Sequence, residues 1–378
     1  MIAVCMSMIV VSVALSVPLT EILIRAGRRL GQVDQPGSAG HKQHQQSVPT
    51  SGGIAIFLAV SVPLTAMLIA VWVRPPDGWS GWLAAVGPHV DGLRRQTPML
   101  LAVLAGMTVL HVLGLIDDRR NLGPFVKLGI QLIVAAILVG LFEMRVLQLL
   151  DQFGPLGWTA SVVLSILWIL TITNAMNLLD NMDGLAGGVG AIIAALYLAA
   201  TLINSQWFVA ALAALLLGAL IGFLAFNFPP ARVFMGDAGS LVVGLLLAVL
   251  SIRTTYVYMD PGLATAIPTD TDGSHAPWYG LLMPLIVMAV PLYDLTSVTL
   301  IRMMQGRSPF VGDQQHFSHR LVDRGMSRRT AVIVIWLCTV ATGLGGVILA
   351  PVEGWQVALI GGQTAAVIAV LVLLERAR

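Results

Sequence analysis

The sequence predicts an all-α integral membrane protein that crosses the bilayer about eleven times, and two observations carry that prediction. Of 378 residues, 57% are hydrophobic and only 11% are charged, against roughly a quarter charged in an ordinary soluble domain. The apolar residues fall in runs of about 20, enough for a helix to cross the hydrocarbon core and far longer than the roughly 10-residue strands of a membrane barrel. Helices also satisfy their own backbone hydrogen bonds, as lipid requires. The whole chain, 1–378, reads as one polytopic domain.

Hydrophobic windows place spans near 1–24, 52–73, 98–116, 125–142, 158–178, 185–203, 207–225, 239–256, 278–301, 330–350 and 355–374. The first run has no basic segment before it and no small-residue cleavage site, so it reads as a span and not a signal peptide. Cys5 and Cys338, the two cysteines, both lie in apolar segments, which excludes a disulfide framework and a thiolate metal site. No fixed-period repeat is visible, so a transporter built by internal duplication gains no support.

Lys and Arg set the orientation. With eleven spans, 16 of the 21 basic residues fall on the side that holds Arg25, leaving Arg74, Arg94, Arg95, Arg145 and Arg253 opposite. The positive-inside rule then puts the N-terminus outside and the C-terminus in the cytoplasm. The outer segments 74–97 and 257–277 carry Pro, Gly, Trp and a few acids, and no chemistry is assigned to them.

The inner segments 34–53, 117–127, 174–184, 226–240 and 302–329 hold the residues that invite chemistry. At the exit of the third span stand Asp117 and Asp118, followed by Arg119, Arg120 and Lys127. Adjacent carboxylates repel, so a cation or a shared proton is expected there, the bland alternative being a solvated helix end. At the exit of the fifth span, Asn174, Asn177, Asp180 and Asp183 recur every third residue before Gly184. They share a face only if the helix tightens or stops near Gly184. Amides and acids at membrane depth are costly unless they line a wet cavity or glue helices together.

Between the seventh and eighth spans, Asn227, Pro229 and Pro230 precede Gly236-Asp237-Ala-Gly239-Ser240. Prolines end one helix and the aspartate opens the next, an arrangement that suits a phosphate-binding N-terminus or a metal ligand as well as a simple cap. The longest inner loop contains Asp313-Gln-Gln-His316-Phe-Ser-His319-Arg320. Two histidines and an arginine could grip a pyrophosphate. Zinc lacks a third His or Cys nearby. The first inner loop adds Lys42, His44 and the pair Gly52-Gly53, which permits close backbone approach. Asp294, inside the ninth span, is set apart as a structural or proton-handling acid.

Together these motifs resemble the polyprenyl-phosphate N-acetylhexosamine-1-phosphate transferase family, glycosyltransferase family 4, over about Asp34 to Ser327. The resemblance implies Asp117 and Asp118 as the catalytic aspartate pair, Lys127 as its lysine, and Asp237 as the Mg²⁺ ligand, with Mn²⁺ as a substitute. It implies that Asn177, Asp180 and Asp183 line the nucleotide-sugar site, that Asn227 and Phe234 hold the uridine, and that His316 and His319 lie near the pyrophosphate. Asp180 and His316 are counted with the catalytic residues, and Lys42, His44 and Arg320 with the substrate-binding ones. Asn181 stands where many members have glycine, and Ser318 where the usual run has histidine.

Pro291-Leu-Tyr-Asp294 and the His316 motif are similar to the undecaprenyl-phosphate GlcNAc-1-phosphate transferase branch. The expected reaction moves GlcNAc-1-phosphate from a UDP-sugar to polyprenyl phosphate at the cytoplasmic face of a bacterial inner membrane, releasing UMP and initiating a cell-envelope glycan. Direct displacement and an aspartyl-phosphate route are both open on these residues. The alternatives are a phospho-N-acetylmuramoyl-pentapeptide transferase and, from another class, a secondary transporter. A homodimer is compatible with the sequence, and no nucleic-acid partner is expected.

Overall fold

A computed structural model describes residues 1–29, 33–34, 48–256, 278–308, 315–349 and 354–376. Lys42 and His44 lie outside the described residues, as does Asp313. The helices are α1 (Ile2–Arg29), α2 (Gly52–Val73), α3 (Val90–Asp117), α4 (Pro124–Phe142), α5 (Gly154–Leu179), α6 (Leu185–Ile203) and α7 (Trp207–Asn227). They continue with α8 (Asp237–Tyr256), α9 (Trp278–Val287), α10 (Ala289–Met304), α11 (Phe317–Asp323), α12 (Arg328–Val347) and α13 (Gly354–Arg376). Two residue pairs, β1 (Val33–Asp34) and β2 (Val48–Pro49), form a short antiparallel ladder between α1 and α2.

Among the described residues ten helices are long and apolar enough to cross a membrane, and the bent pair α9–α10, taken as one span, makes eleven. The expected continuous span 278–301 is therefore corrected: it breaks at Met288, and its halves meet at 74°. Pro291 explains the break. It has no N–H for the Val287 carbonyl, and its ring crowds the preceding turn. The short α11, between α10 and α12, is a second feature the hydrophobic windows do not contain, because seven residues are too few to leave one.

α8 is the hub. It packs against α2, α3, α5, α6, α7 and α9, and from Ala238 to Leu250 its apolar side chains are almost wholly buried. α1, α4 and α13 lie outside it and expose Val10, Leu141 and Leu373, as lipid-facing helices should. Small residues let the hub be approached closely. A Cβ on Gly114 of α3 would lie 2.3 Å from the Ala238 amide nitrogen, and one on Gly53 of α2 would lie 2.3 Å from that of Gly239. The approach of α2 is reinforced where the Gly52 and Gly53 amides donate to the Phe234 and Met235 carbonyls, each at 3.0 Å. On the far side of α7, the Ser12 and Ser16 hydroxyls of α1 donate to the Leu215 and Ala219 carbonyls, both at 2.7 Å. Hydrogen bonds and close packing take the place of a hydrophobic drive between helices that lipid cannot supply.

These approaches predict that Gly114→Ala destabilises the protein by about 1–3 kcal/mol, because backbone atoms must move. Melting of the detergent-solubilised protein measures it, with Gly129→Ala, whose Cβ would enter open space, as the matched control. Equal melting temperatures for the two would contradict this packing.

Candidate active site

The close approach of α2 and α3 puts the first residue of α8, Asp237, among the ends of three other helices. Lys127, one turn into α4, donates to Asp117 Oδ2 at 3.0 Å and to Asp237 Oδ2 at 2.8 Å. Asn177, near the end of α5, donates to Asp237 Oδ1 at 3.0 Å and to Ser240 Oγ at 2.8 Å. Asp117 Oδ1 accepts from the Leu122 amide at 2.9 Å, which fixes the turn between α3 and α4. Asp118 turns its carboxylate to the start of α8 and accepts from the amides of Asp237 at 2.9 Å and Ala238 at 3.3 Å. The helix N-terminus expected to suit a phosphate is thus already capped by an anion of the protein itself. Gly236 is required for this contact. Its φ is +68°, and a Cβ there would lie 2.7 Å from Asp118 Oδ2.

α5 stops where the three-residue repeat needs it to stop. Its last residue is Leu179, and Gly184 opens α6 at φ +73°. Asn174 and Asn177 lie on helix, Asp180 and Asp183 on the following turn. The four side chains consequently reach four different partners. Asn174 donates to Gln131 of α4 at 2.6 Å; Asn177 meets Asp237; Asp180 is hydrogen-bonded by the Gly236 amide; Asp183 Oδ2 accepts from the Ala231 amide at 3.0 Å. Asn227, expected on the uridine, has both ends of its amide engaged in this loop, accepting from Gly184 N at 2.9 Å and donating to Val233 O at 2.8 Å. Phe234, also expected there, is half-buried and paired through its backbone to Pro49 and Gly52.

The electrostatics record the crowding of these acids. Removal of water pushes the Asp180 carboxyl up to about 8, with Asp237 and Asp118 adding repulsion and the Gly236 amide opposing it. Asp118 keeps a solvent-exposed edge, yet desolvation of its carboxylate against α8 and the nearness of Asp237 and Asp117 raise it to about 6 despite two amide hydrogen bonds. Of these four acids Lys127 bonds two, Asp117 and Asp237.

The histidines arrive on α11. His316 is buried, and its Nδ1 pairs with Asp294 Oδ2 at 2.9 Å, while Asp294 Oδ1 accepts from the Phe317 amide at 3.1 Å. A carboxylate on Nδ1 keeps the proton there and leaves Nε2 as the nitrogen for chemistry. Ser318, fully buried, donates to Asn181 Oδ1 at 2.6 Å, and Asn181 Nδ2 donates to the Leu178 carbonyl at 2.8 Å. That pair docks the histidine helix on the turn that carries Asp180. His319 is hydrogen-bonded to the Asn181 backbone; burial, then His316 and Arg328, lower its pKa. Arg320, expected on the substrate, has its guanidinium on protein partners, among them Glu375.

The profile of glycosyl transferase family 4 matches residues 100–255, the stretch that supplies Asp117, Asp118, Asp180 and Asp237. A probable undecaprenyl-phosphate N-acetylglucosaminyl 1-phosphate transferase of Bacillus subtilis (strain 168) is 30% identical over 349 residues, covering 92% of this chain and 85% of that protein. The chain belongs to glycosyl transferase family 4. A decaprenyl-phosphate N-acetylglucosaminephosphotransferase of Mycobacterium tuberculosis (strain ATCC 25618 / H37Rv) is 32% identical over 368 residues, 92% of this chain and 83% of the relative. A phospho-N-acetylmuramoyl-pentapeptide-transferase of Geobacillus kaustophilus (strain HTA426) is 33% identical over a shorter 261 residues, 65% of this chain and 73% of the relative.

This family 4 member also uses residues that its sequence alone did not single out. His111, buried in α3, bonds the Ala238 carbonyl at 2.9 Å and stacks on Phe57 with centroids 4.3 Å apart, bracing α8 beside Asp237. A lone histidine in an apolar span was the available signal. Ser240 shares Asn177 with Asp237, and only its place in the motif hinted at that. Asp294, set apart as a structural or proton-handling acid, is the direct partner of His316.

The Asn181–Ser318 bond predicts a coupled pair. Asn181→Ala and Ser318→Ala each lower the melting temperature, and the double variant loses less than the two effects added, with a coupling of about 1 kcal/mol. Strict additivity would mean that the two side chains do not meet.

Proposed function

We propose that this protein transfers N-acetylglucosamine-1-phosphate from a UDP-sugar to polyprenyl phosphate, releasing UMP. The observation that carries the proposal is the meeting of Asp117, Lys127, Asn177 and Asp237, from four separate helices, at hydrogen-bond distances of 2.8–3.0 Å. The names of the Bacillus and Mycobacterium relatives support the sugar and the lipid acceptor. The excess of Lys and Arg on one side of the spans supports a site that faces the cytoplasm, where nucleotide sugars are found.

The donor set fits Mg²⁺. Its oxygens are hard ligands of the kind that Mg²⁺ takes. Among the described residues no three His, Cys, Asp or Glu side chains stand together as a ready-made cage. Such an ion would be held by one or two carboxylates, with substrate phosphates and water completing its shell. Asp237 would be the principal ligand and Asp180 a second. When bound, Mg²⁺ supplies the positive charge that neutralises the pyrophosphate and favours departure of UMP.

The chain's own residues do the rest. Phosphoryl transfer depends on alignment and charge more than on covalent help. Lys127 holds Asp117 and Asp237 at one point and adds its charge to the phosphates. Asn177 prevents Asp237 from rotating, and Asp118 ties the start of α8 to the end of α3. Asp117, beside Lys127, is placed to orient the lipid phosphate, whose oxygen attacks the sugar-linked phosphorus. His316, held through Nδ1 by Asp294, offers Nε2 to the pyrophosphate.

Purified protein with UDP-GlcNAc and polyprenyl phosphate should release UMP, lose that activity on chelation of divalent ions, and regain it with Mg²⁺. Activity unchanged by chelator would overturn the metal assignment. Asp237→Asn and Lys127→Met should each reduce turnover by roughly 100- to 1,000-fold while the protein remains in the membrane. Preference for UDP-MurNAc-pentapeptide over UDP-GlcNAc would move the protein to the activity for which the Geobacillus relative is named.

A further inference from the structure

The His316 segment is held from a second side by the last helix, which the chemistry above does not use. Glu375 lies near the end of α13 with its side chain only 10% exposed, and both of its carboxylate oxygens are engaged. Oε2 accepts from Arg320 Nε at 3.0 Å and pairs with Nη2 at 2.9 Å, while Oε1 accepts from the Tyr293 hydroxyl at 2.9 Å. The Arg320 guanidinium, itself 19% exposed on its side chain, reaches further. Nη2 donates to Ser297 Oγ at 3.1 Å, and Nη1 donates to the backbone carbonyl of Gln315, the residue before His316.

Tyr293 and Ser297 flank Asp294 on α10, and Ser297 Oγ donates to the Asp294 carbonyl at 3.2 Å. The same short segment is therefore gripped twice. Asp294 takes the imidazole of His316 and the amide of Phe317, and the Glu375–Arg320 pair takes the carbonyl of Gln315 just before them. A guanidinium fork fixes direction as well as distance. A half-buried ion pair adds little net stability, but losing one partner leaves the other charge stranded and its remaining contacts free to rearrange.

We propose that Glu375 is a positioning residue for His316, acting through Arg320, so that the final helix completes the active site. The inference rests on the transfer reaction proposed above. Arg320 is then an internal brace and not a ligand of the substrate, and the two roles have different kinetic signatures. A brace that slips misplaces a reacting group and lowers turnover, whereas a lost substrate contact raises KM.

The test uses full-length protein in detergent, with Glu375→Gln, Glu375→Ala, Arg320→Lys and the double variant Glu375→Gln/Arg320→Lys. In Glu375→Gln, kcat for transfer from UDP-GlcNAc should fall by roughly 10- to 100-fold with KM changed by less than about threefold. The double variant should be no worse than the poorer single one. Hydrogen–deuterium exchange should quicken in residues 315–323 of Glu375→Gln and stay unchanged in residues 165–179. Folded Glu375→Gln with kcat near that of the wild type, unchanged exchange at 315–323, or a rise in KM alone for Arg320→Lys would each overturn the proposal. Inactive wild-type protein would instead count against the transfer reaction, and the exchange experiment would still decide whether Glu375 holds the segment.

Discussion

The arrangement depends on one ammonium group between two carboxylates. Lys127 bonds Asp117 at 3.0 Å and Asp237 at 2.8 Å, and without it three helix ends would present like charges to one another where water is scarce. Coulomb repulsion between unscreened carboxylates at such separations is several kcal/mol at the dielectric of a protein near its surface. The backbone contributes the remaining compensation, through the Leu122, Gly236, Asp237 and Ala238 amides. The glycines follow from this requirement. Gly53 and Gly114 let α2 and α3 come close enough for the start of α8 to receive Asp118, and a larger side chain at either would separate the charges from the groups that offset them.

The membrane explains where these polar groups lie. Asp117, Asp118, Lys127, Asp180 and Asp237 all stand at or just beyond helix ends, outside the long apolar stretches. Several deeper polar residues are paired within the protein: Asn174 with Gln131, Trp168 with Ser251, and the α1 serines with α7 carbonyls. A transporter would place its acids along a path through the bilayer. Here the deepest acid of the site, Asp294, is closed off by His316 and the Phe317 amide, which suits a surface-facing catalyst.

Much of this was legible in the sequence because lipid imposes strict rules. Spans follow from hydrophobic length alone, and acids beside them stand out against an apolar background, so the pattern of residues suffices to gather Asp117, Asp118, Asp180 and Asp237. It does not supply their hydrogen-bond partners. That Asn227 braces a loop, that Asp118 caps α8 and that Arg320 faces Glu375 are outcomes of packing between segments far apart in the chain, on which local pattern is silent. Glu375 illustrates the limit. The sequence gives it no motif, and only the fold of α13 against α10 and α11 brings it to Arg320 and Tyr293. Asn181 and Ser318 illustrate the reverse. Each is a separate departure from the family pattern, yet they are two ends of one hydrogen bond.

The broken span shows how a loop residue can be held as firmly as one in the core. Pro291 interrupts the hydrogen-bond ladder, and α10 leaves α9 at 74°. Asp294, fully buried in the turn after the break, must find donors, because an unpaired acid at that depth is expensive. Two neighbouring groups provide them, the His316 imidazole and the Phe317 amide that begins α11. One carboxylate thereby sets both the orientation of the ring and the start of the helix that carries it, so neither can shift without exposing the other's bond. The break in the helix is the feature that turns a buried acid toward the inner loop, and the loop gains its order from that acid's need for partners.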